Sequence, residues 1–110
     1  MKVIQLSMAR YNEKRIPYVL QEKLMNTFCD ALARLKTKGD VKNFLKDLLN
    51  RQERAMIVRR LLIAQMLING STYNDIGRLL HCGTATIARV QRWVHFGRGG
   101  YHAAVSRNKK

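Results

Sequence analysis

Apolar residues recur along this chain at steps of three and four, and strand-like alternation is scarce. That is the period of a helix facing a core, so the chain reads as all-α. From Tyr18 to about Leu35 the stripe is Val19, Leu20, Leu24, Met25, Phe28, Ala31, Leu32 and Leu35. Pro17 is placed to open this helix, because its missing N–H costs nothing in a first turn. Lys36-Thr37-Lys38-Gly39 reads as a stop, with Gly39 as the left-handed residue after the helix. Asp40 is then expected to cap a second helix, whose stripe is Val41, Phe44, Leu45, Leu48 and Leu49. Asn50, with Glu53 three positions on, forms an Asn version of the capping box. It predicts a third helix from Arg51 to about Asn69, closed by Asn69-Gly70. The second half of that helix, Leu61 to Ile68, is apolar nearly all round. Such a helix must be covered on every side. Either it is the central core helix of a monomer or a partner subunit covers part of it.

The stretch 72–96 has the spacing of a DNA-binding helix-turn-helix. Thr72 is a candidate N-cap, Tyr73–Leu80 a short helix, His81-Cys82-Gly83 a three-residue turn, and Thr84–Phe96 a second helix. Gly77 is expected where the two helices approach most closely. His81 falls where such turns take a left-handed backbone, which His tolerates better than most residues. On a wheel of the second helix, Ile87, Val90 and Val94 share one side. Thr84, Ala85, Ala88, Arg89 and Arg92 share the other. Small residues early on that side let a helix N-terminus sit deep in a major groove. Thr84 is suited to a base edge or phosphate, Ala85 and Ala88 to a thymine methyl, Arg89 and Arg92 to phosphates. Thr72, Tyr73, Asn74 and Arg78 on the first helix complete the candidate DNA surface.

Composition sharpens this. Lys and Arg number 21 against 7 Asp and Glu in 110 residues, a formal net charge of +14 and a sequence pI near 10.6. So large a surplus draws polyanions, double-stranded DNA foremost. After Asp75 there is no acidic residue at all. Residues 1–17 read as a flexible basic arm, its role open, and 18–110 as one all-α domain. No run of about 18 apolar residues exists, so no membrane span is expected, and residues 1–15 lack an apolar signal core. Two cysteines, Cys29 and Cys82, make no disulfide framework and fit a cytoplasmic, nucleoid-associated chain.

No enzyme is expected: the acids are scattered, with no nucleophile–base spacing and no phosphate-cradling loop. Nor is a metal or cofactor, since Cys29, His81, Cys82, His95 and His102 form no Cys-x2-Cys or His-x3-His pair. Three functions compete. One is a sequence-specific transcriptional regulator, the second a nonspecific architectural DNA- or RNA-binding basic protein, and the third an adaptor whose helices bind a protein partner.

Leu48-Leu49-Asn50, Glu53-Arg54, Arg60 through Leu67-Ile68-Asn69-Gly70, and Gly83-Thr84-Ala85-Thr86-Ile87-Ala88-Arg89 together resemble the Trp repressor superfamily. Thr72-Tyr73-Asn74-Asp75-Ile76, with Ala85 to Val90 and Gly97 to Tyr101, is similar to its Trp-repressor-like YerC/YecD branch. The resemblance implies a Trp-repressor-like helical bundle, an intertwined homodimer with two helix-turn-helix heads, and repression. It also implies an effector pocket in which an indole lies between two arginines, here Arg60 and Arg89, with Thr86 beside them. Where tryptophan-binding members carry Gly and Ser, this chain carries Val90 and Trp93. Thr86, Val90 and Trp93 share a flank on the wheel, so the two bulky side chains are expected to fill the indole's place, Trp93 as a built-in substitute. L-tryptophan is therefore not expected as corepressor, and another small molecule is left open. A ligand-sized cavity between Arg60 and Arg89 would overturn the filled-pocket expectation.

Overall fold

The structure, a computed structural model, describes residues 16–105. The basic arm expected over 1–17 lies almost wholly outside the described residues. Among the described residues there are six helices and no strand: α1 Tyr18–Ala33, α2 Lys38–Leu48, α3 Arg51–Ile68, α4 Tyr73–Leu80, α5 Thr84–Phe96 and α6 Gly100–Ala104. The chain parts into two compact units, one up to Phe44 and one from Leu45 onward.

In the first unit, α1 starts directly after Pro17, whose carbonyl accepts from Gln21 N–H at 3.0 Å. None of its residues is buried, and Val19 and Met25 are among those most open to solvent. The Phe28 and Phe44 rings face each other with centroids 6.3 Å apart. The start of α2 differs from the sequence expectation. Gly39 lies inside the helix and has no positive φ, and Asp40 is not the cap. The Thr37 hydroxyl accepts from Asp40 N–H at 3.1 Å, so capping falls to Thr37. Thr37 offers the same acceptor three residues earlier, and Asp40 then brings its negative charge to the first turn, where the helix dipole favours it.

In the second unit, Asn50 and Glu53 close the expected capping box, each side chain taking the other's backbone N–H at 2.9 Å. The Arg54 guanidinium reaches back to the Leu49 and Lys46 carbonyls at 2.6 and 3.1 Å. It thus satisfies acceptors that the end of α2 leaves without a helical partner. At the far end of α3, Ser71 N–H bonds Met66 O at 2.9 Å and Gly70 N–H bonds Leu67 O at 3.1 Å. These are the two bonds of a Schellman termination, with Gly70 at φ +91° as its left-handed residue.

The core of this unit is Ile63 and Ala64 from α3, Ile76 from α4, Ile87, Val90 and Val94 from α5, and Val105 after α6. No polar or charged side chain among the described residues is buried. On α3, Ile63 and Ala64 are buried and Met66, Leu67 and Ile68 pack partly against the core, while Met56, Ile57, Val58, Leu61 and Leu62 are exposed.

Candidate nucleic-acid interface

The interface is built on α4, the turn 81–83 and α5. Thr72 caps α4, its hydroxyl accepting from Asp75 N–H at 3.1 Å. The helix ends at His81, which takes φ 52° and ψ 52°, the only positive φ outside glycine among the described residues. That left-handed residue turns the chain so that Cys82 N–H bonds Gly77 O at 3.3 Å. Gly77 is needed there, for a reason the sequence placed elsewhere. A Cβ on it would stand 3.0 Å from the Cys82 carbonyl oxygen but 4.0 Å from Ile87 Cδ1. The tight neighbour is the turn's own backbone, and the second helix is in ordinary contact.

α5 then runs from Thr84 to Phe96 with its two sides separated as the wheel predicts. Ile87, Val90 and Val94 are buried, and Thr84, Ala85, Ala88, Arg89 and Arg92 are exposed. Ala85, Ala88, Arg89, Arg92 and Trp93 line an open hollow of about 420 Å³ on that side. On α4, Thr72, Asn74 and Arg78 are exposed, and Arg78 Nη2 lies 2.8 Å from Asp75 Oδ1. Tyr73 stands apart from the other candidates. It is half-buried, and its hydroxyl donates to Gln91 Oε1 on α5. It joins the two helices rather than facing outward with Asn74. Gln91 and Asp75 were missed as members of this surface. The Asp75–Arg78 spacing of three on a helix was the available signal. Nothing in the sequence pairs Tyr73 with Gln91.

The effector-pocket candidates are spread over three cavities, Arg89 and Trp93 both bordering the hollow just described. Arg60, Thr86, Arg89 and Val90 line one of about 150 Å³. It does lie between the two arginines, yet it is well below the roughly 300 Å³ at which ligand pockets usually begin. Trp93 does not line it. It lies on a larger groove of about 550 Å³ with Ile57, Arg60, Leu61, Arg98 and Tyr101, and is half open to solvent. The expectation that Trp93 fills the space between the arginines is thus corrected. The wheel places Thr86 and Trp93 on one flank but discards height, and seven residues of helix rise by roughly 10 Å. Among the described residues, no group of His, Cys, Asp or Glu is arranged to hold a metal ion. None of their helices is long and apolar enough to cross a membrane.

Known proteins match this arrangement. Residues 23–109 match the family described as Trp repressor protein. The uncharacterized protein YerC of Bacillus subtilis (strain 168) is 32% identical over 91 residues, covering 83% of this chain and 88% of YerC. The crystal structure of a "putative Trp repressor" from Staphylococcus aureus superposes with a TM-score of 0.65 at 26% identity, covering 86% of this chain and 90% of that one. The family match spans well over half of the chain and takes in α3 to α6 entire, so the chain belongs to the Trp repressor family.

Proposed function

We propose that this chain is a sequence-specific DNA-binding transcriptional regulator, acting as a repressor through the helix-turn-helix formed by α4, the turn and α5. One observation carries the reading most of the way. The side of α5 that carries Thr84, Ala85, Ala88, Arg89 and Arg92 is open, while Ile87, Val90 and Val94 anchor the opposite side. A helix presented in that way has small side chains near its start and cations further on, which suits a major groove. Thr84, Ala85 and Ala88 read base edges, and Arg89 and Arg92 hold phosphates. Thr72 and Asn74 meet the adjoining backbone, while Tyr73 positions α5 through Gln91. The family is one of regulators, and no catalytic role is assigned to any residue. Such a protein works at the nucleoid, in the cytoplasm.

The working form is a homodimer. The exposed apolar residues of α3, Val58 and Leu62 among them, call for a cover beyond the core of their own unit. A second copy supplies it and also brings two heads to a palindrome with half-sites about one helical turn apart. L-tryptophan is not the corepressor in this reading. The space between Arg60 and Arg89, which Val90 helps to line, is about 150 Å³. Another small-molecule corepressor remains compatible with it.

The test is selection from a randomised duplex pool at physiological salt, with excess nonspecific competitor and no added ligand. An enriched palindrome supports the reading. Binding that vanishes under competitor, with no enriched sequence, supports instead the architectural DNA- or RNA-binding protein, which the net charge of +14 favours.

A further inference from the structure

Asp75 is the single acidic side chain after Glu53, in a stretch that carries all of the candidate DNA surface. It lies on the outer side of α4, its Oδ1 2.8 Å from Arg78 Nη2, with the side chains 49% and 77% exposed. Stability gives little reason for this pair, since an exposed ion pair one turn apart contributes little. The N-cap bond is made without the carboxylate, because the Thr72 hydroxyl takes the Asp75 backbone N–H, so the carboxylate adds to the helix only the modest first-turn dipole interaction that Asp40 also has in α2. A surface selected only for phosphate attraction would carry no acid here. A surface that must tell one site from many has a use for one, because sequence-independent affinity comes from phosphate neutralisation. What matters among many competing sites is the ratio of specific to nonspecific affinity.

We propose that Asp75 is a specificity-determining residue, whose carboxylate occupies the Arg78 guanidinium and so withholds one phosphate contact from unmatched DNA. On an unmatched duplex Arg78 stays with Asp75, and the carboxylate repels the nearest phosphate. On a matched site the base contacts of α5 draw the head closer, and Arg78 exchanges its carboxylate partner for a phosphate. The inference rests on the DNA-regulator reading and names what limits promiscuous binding at that same surface.

The experiment measures binding of the full chain to a random-sequence duplex and to its selected duplex over a range of salt. Asp75→Asn keeps the size of the side chain and removes its charge. It is expected to bind random duplex more tightly, with a log–log salt slope steeper by about 0.9 for each protomer on the DNA, the value of one further phosphate contact, and so by about 1.8 for the homodimer. The homodimer's advantage over the wild type then grows about twelvefold for a fourfold dilution of salt, about 3.5-fold per protomer. The selected duplex gains less, so the ratio of affinities falls. Arg78→Gln provides an independent arm that needs no change at Asp75. It is expected to leave the slope on random duplex unchanged and to reduce the slope on the selected one. An Asp75→Asn protein that is unchanged, or that gains equally on both duplexes, overturns the proposal. So does an Arg78→Gln protein whose slope on random duplex falls by about 0.9 per protomer, since Arg78 would then already be on a phosphate. A wild type that binds neither duplex overturns the DNA reading itself, and that outcome is distinct from these.

Discussion

The Tyr73 hydroxyl on α4 donates to the side-chain oxygen of Gln91 on α5, and both side chains are half-buried. This bond ties the first turn of one helix to the middle of the next, where van der Waals packing alone leaves a rotation soft. Removing the hydroxyl leaves a half-buried amide oxygen without its donor. Tyr73→Phe is expected to destabilise by about 1 kcal/mol. For a domain of this size that lowers Tm by about 5 °C. Thermal unfolding followed by circular dichroism measures it. A double-mutant cycle with Gln91→Leu should return a coupling of about 0.5 kcal/mol or more, and additivity would show that the two side chains act independently.

The turn offers a second prediction. His81 holds a left-handed backbone at φ 52°. For an L-residue with a Cβ that conformation costs about 1–2 kcal/mol relative to the right-handed region. His81→Gly relieves it, partly offset by the greater freedom of glycine in the unfolded chain, so a net gain of about 0.5 kcal/mol is expected. His81→Val, β-branched, should lose more than about 1 kcal/mol, since such residues are true outliers at positive φ. Denaturant midpoints at constant slope should rank Gly above His above Val.

Much of this was legible before any coordinates, and for identifiable reasons. Asn50, Thr72 and Gly70 each mark a helix end with a local hydrogen bond or a backbone conformation that few other residues supply. Local signals of that kind survive in any tertiary setting. Gly39 misled because two acceptors, Thr37 and Asp40, competed for one helix start, and the sequence does not rank them. Trp93 misled because a wheel keeps angle and drops height, whereas pocket membership depends on both. The pairing of Tyr73 with Gln91 was out of reach, because it depends on how two helices cross.

Core substitutions should separate the two ends of α5. Ile87 is fully buried among Ile63, Ala64 and Ile76. Ile87→Ala is expected to cost about 2–5 kcal/mol, which in a chain this small is a large share of its total stability. Phe96, at the other end, is 81% exposed. Phe96→Ala should change stability by less than about 0.5 kcal/mol, as surface replacements usually do. Equal losses at both positions would mean that a partner buries Phe96 in solution.

The exposed side of α3 predicts an oligomer. Val58 and Leu62 are four residues apart on one exposed ridge of the helix. Paired with a second copy, each would lose most of its contact with water, and a charge placed there would be stranded at the interface. Sedimentation equilibrium should give twice the chain mass for the wild type and the chain mass for Leu62→Glu. A monomeric wild type at micromolar concentration would remove the dimer from the functional reading and with it the palindrome.

Arg89 and Arg92 bring the argument to DNA. Both residues are exposed on the open side of α5, Arg89 just before its midpoint and Arg92 just past it, each beyond Ala85 and Ala88. At that height a helix entering a groove meets the backbone rather than base edges. Each arginine is therefore expected to contribute affinity that does not depend on sequence. If about six phosphates are neutralised per protomer, the log–log salt slope is about −5 per protomer, and Arg92→Ala should make it shallower by about 0.9 per protomer. The sequence preference from selection should stay the same. Ala88→Glu acts on the opposite term: it puts a bulky acid among the base edges, and should abolish preference and most of the affinity together. Should Arg92→Ala alter the selected sequence while leaving the slope in place, the helix would lie deeper in the groove than its small residues at 85 and 88 suggest, and the division between reading and holding along α5 would have to be redrawn.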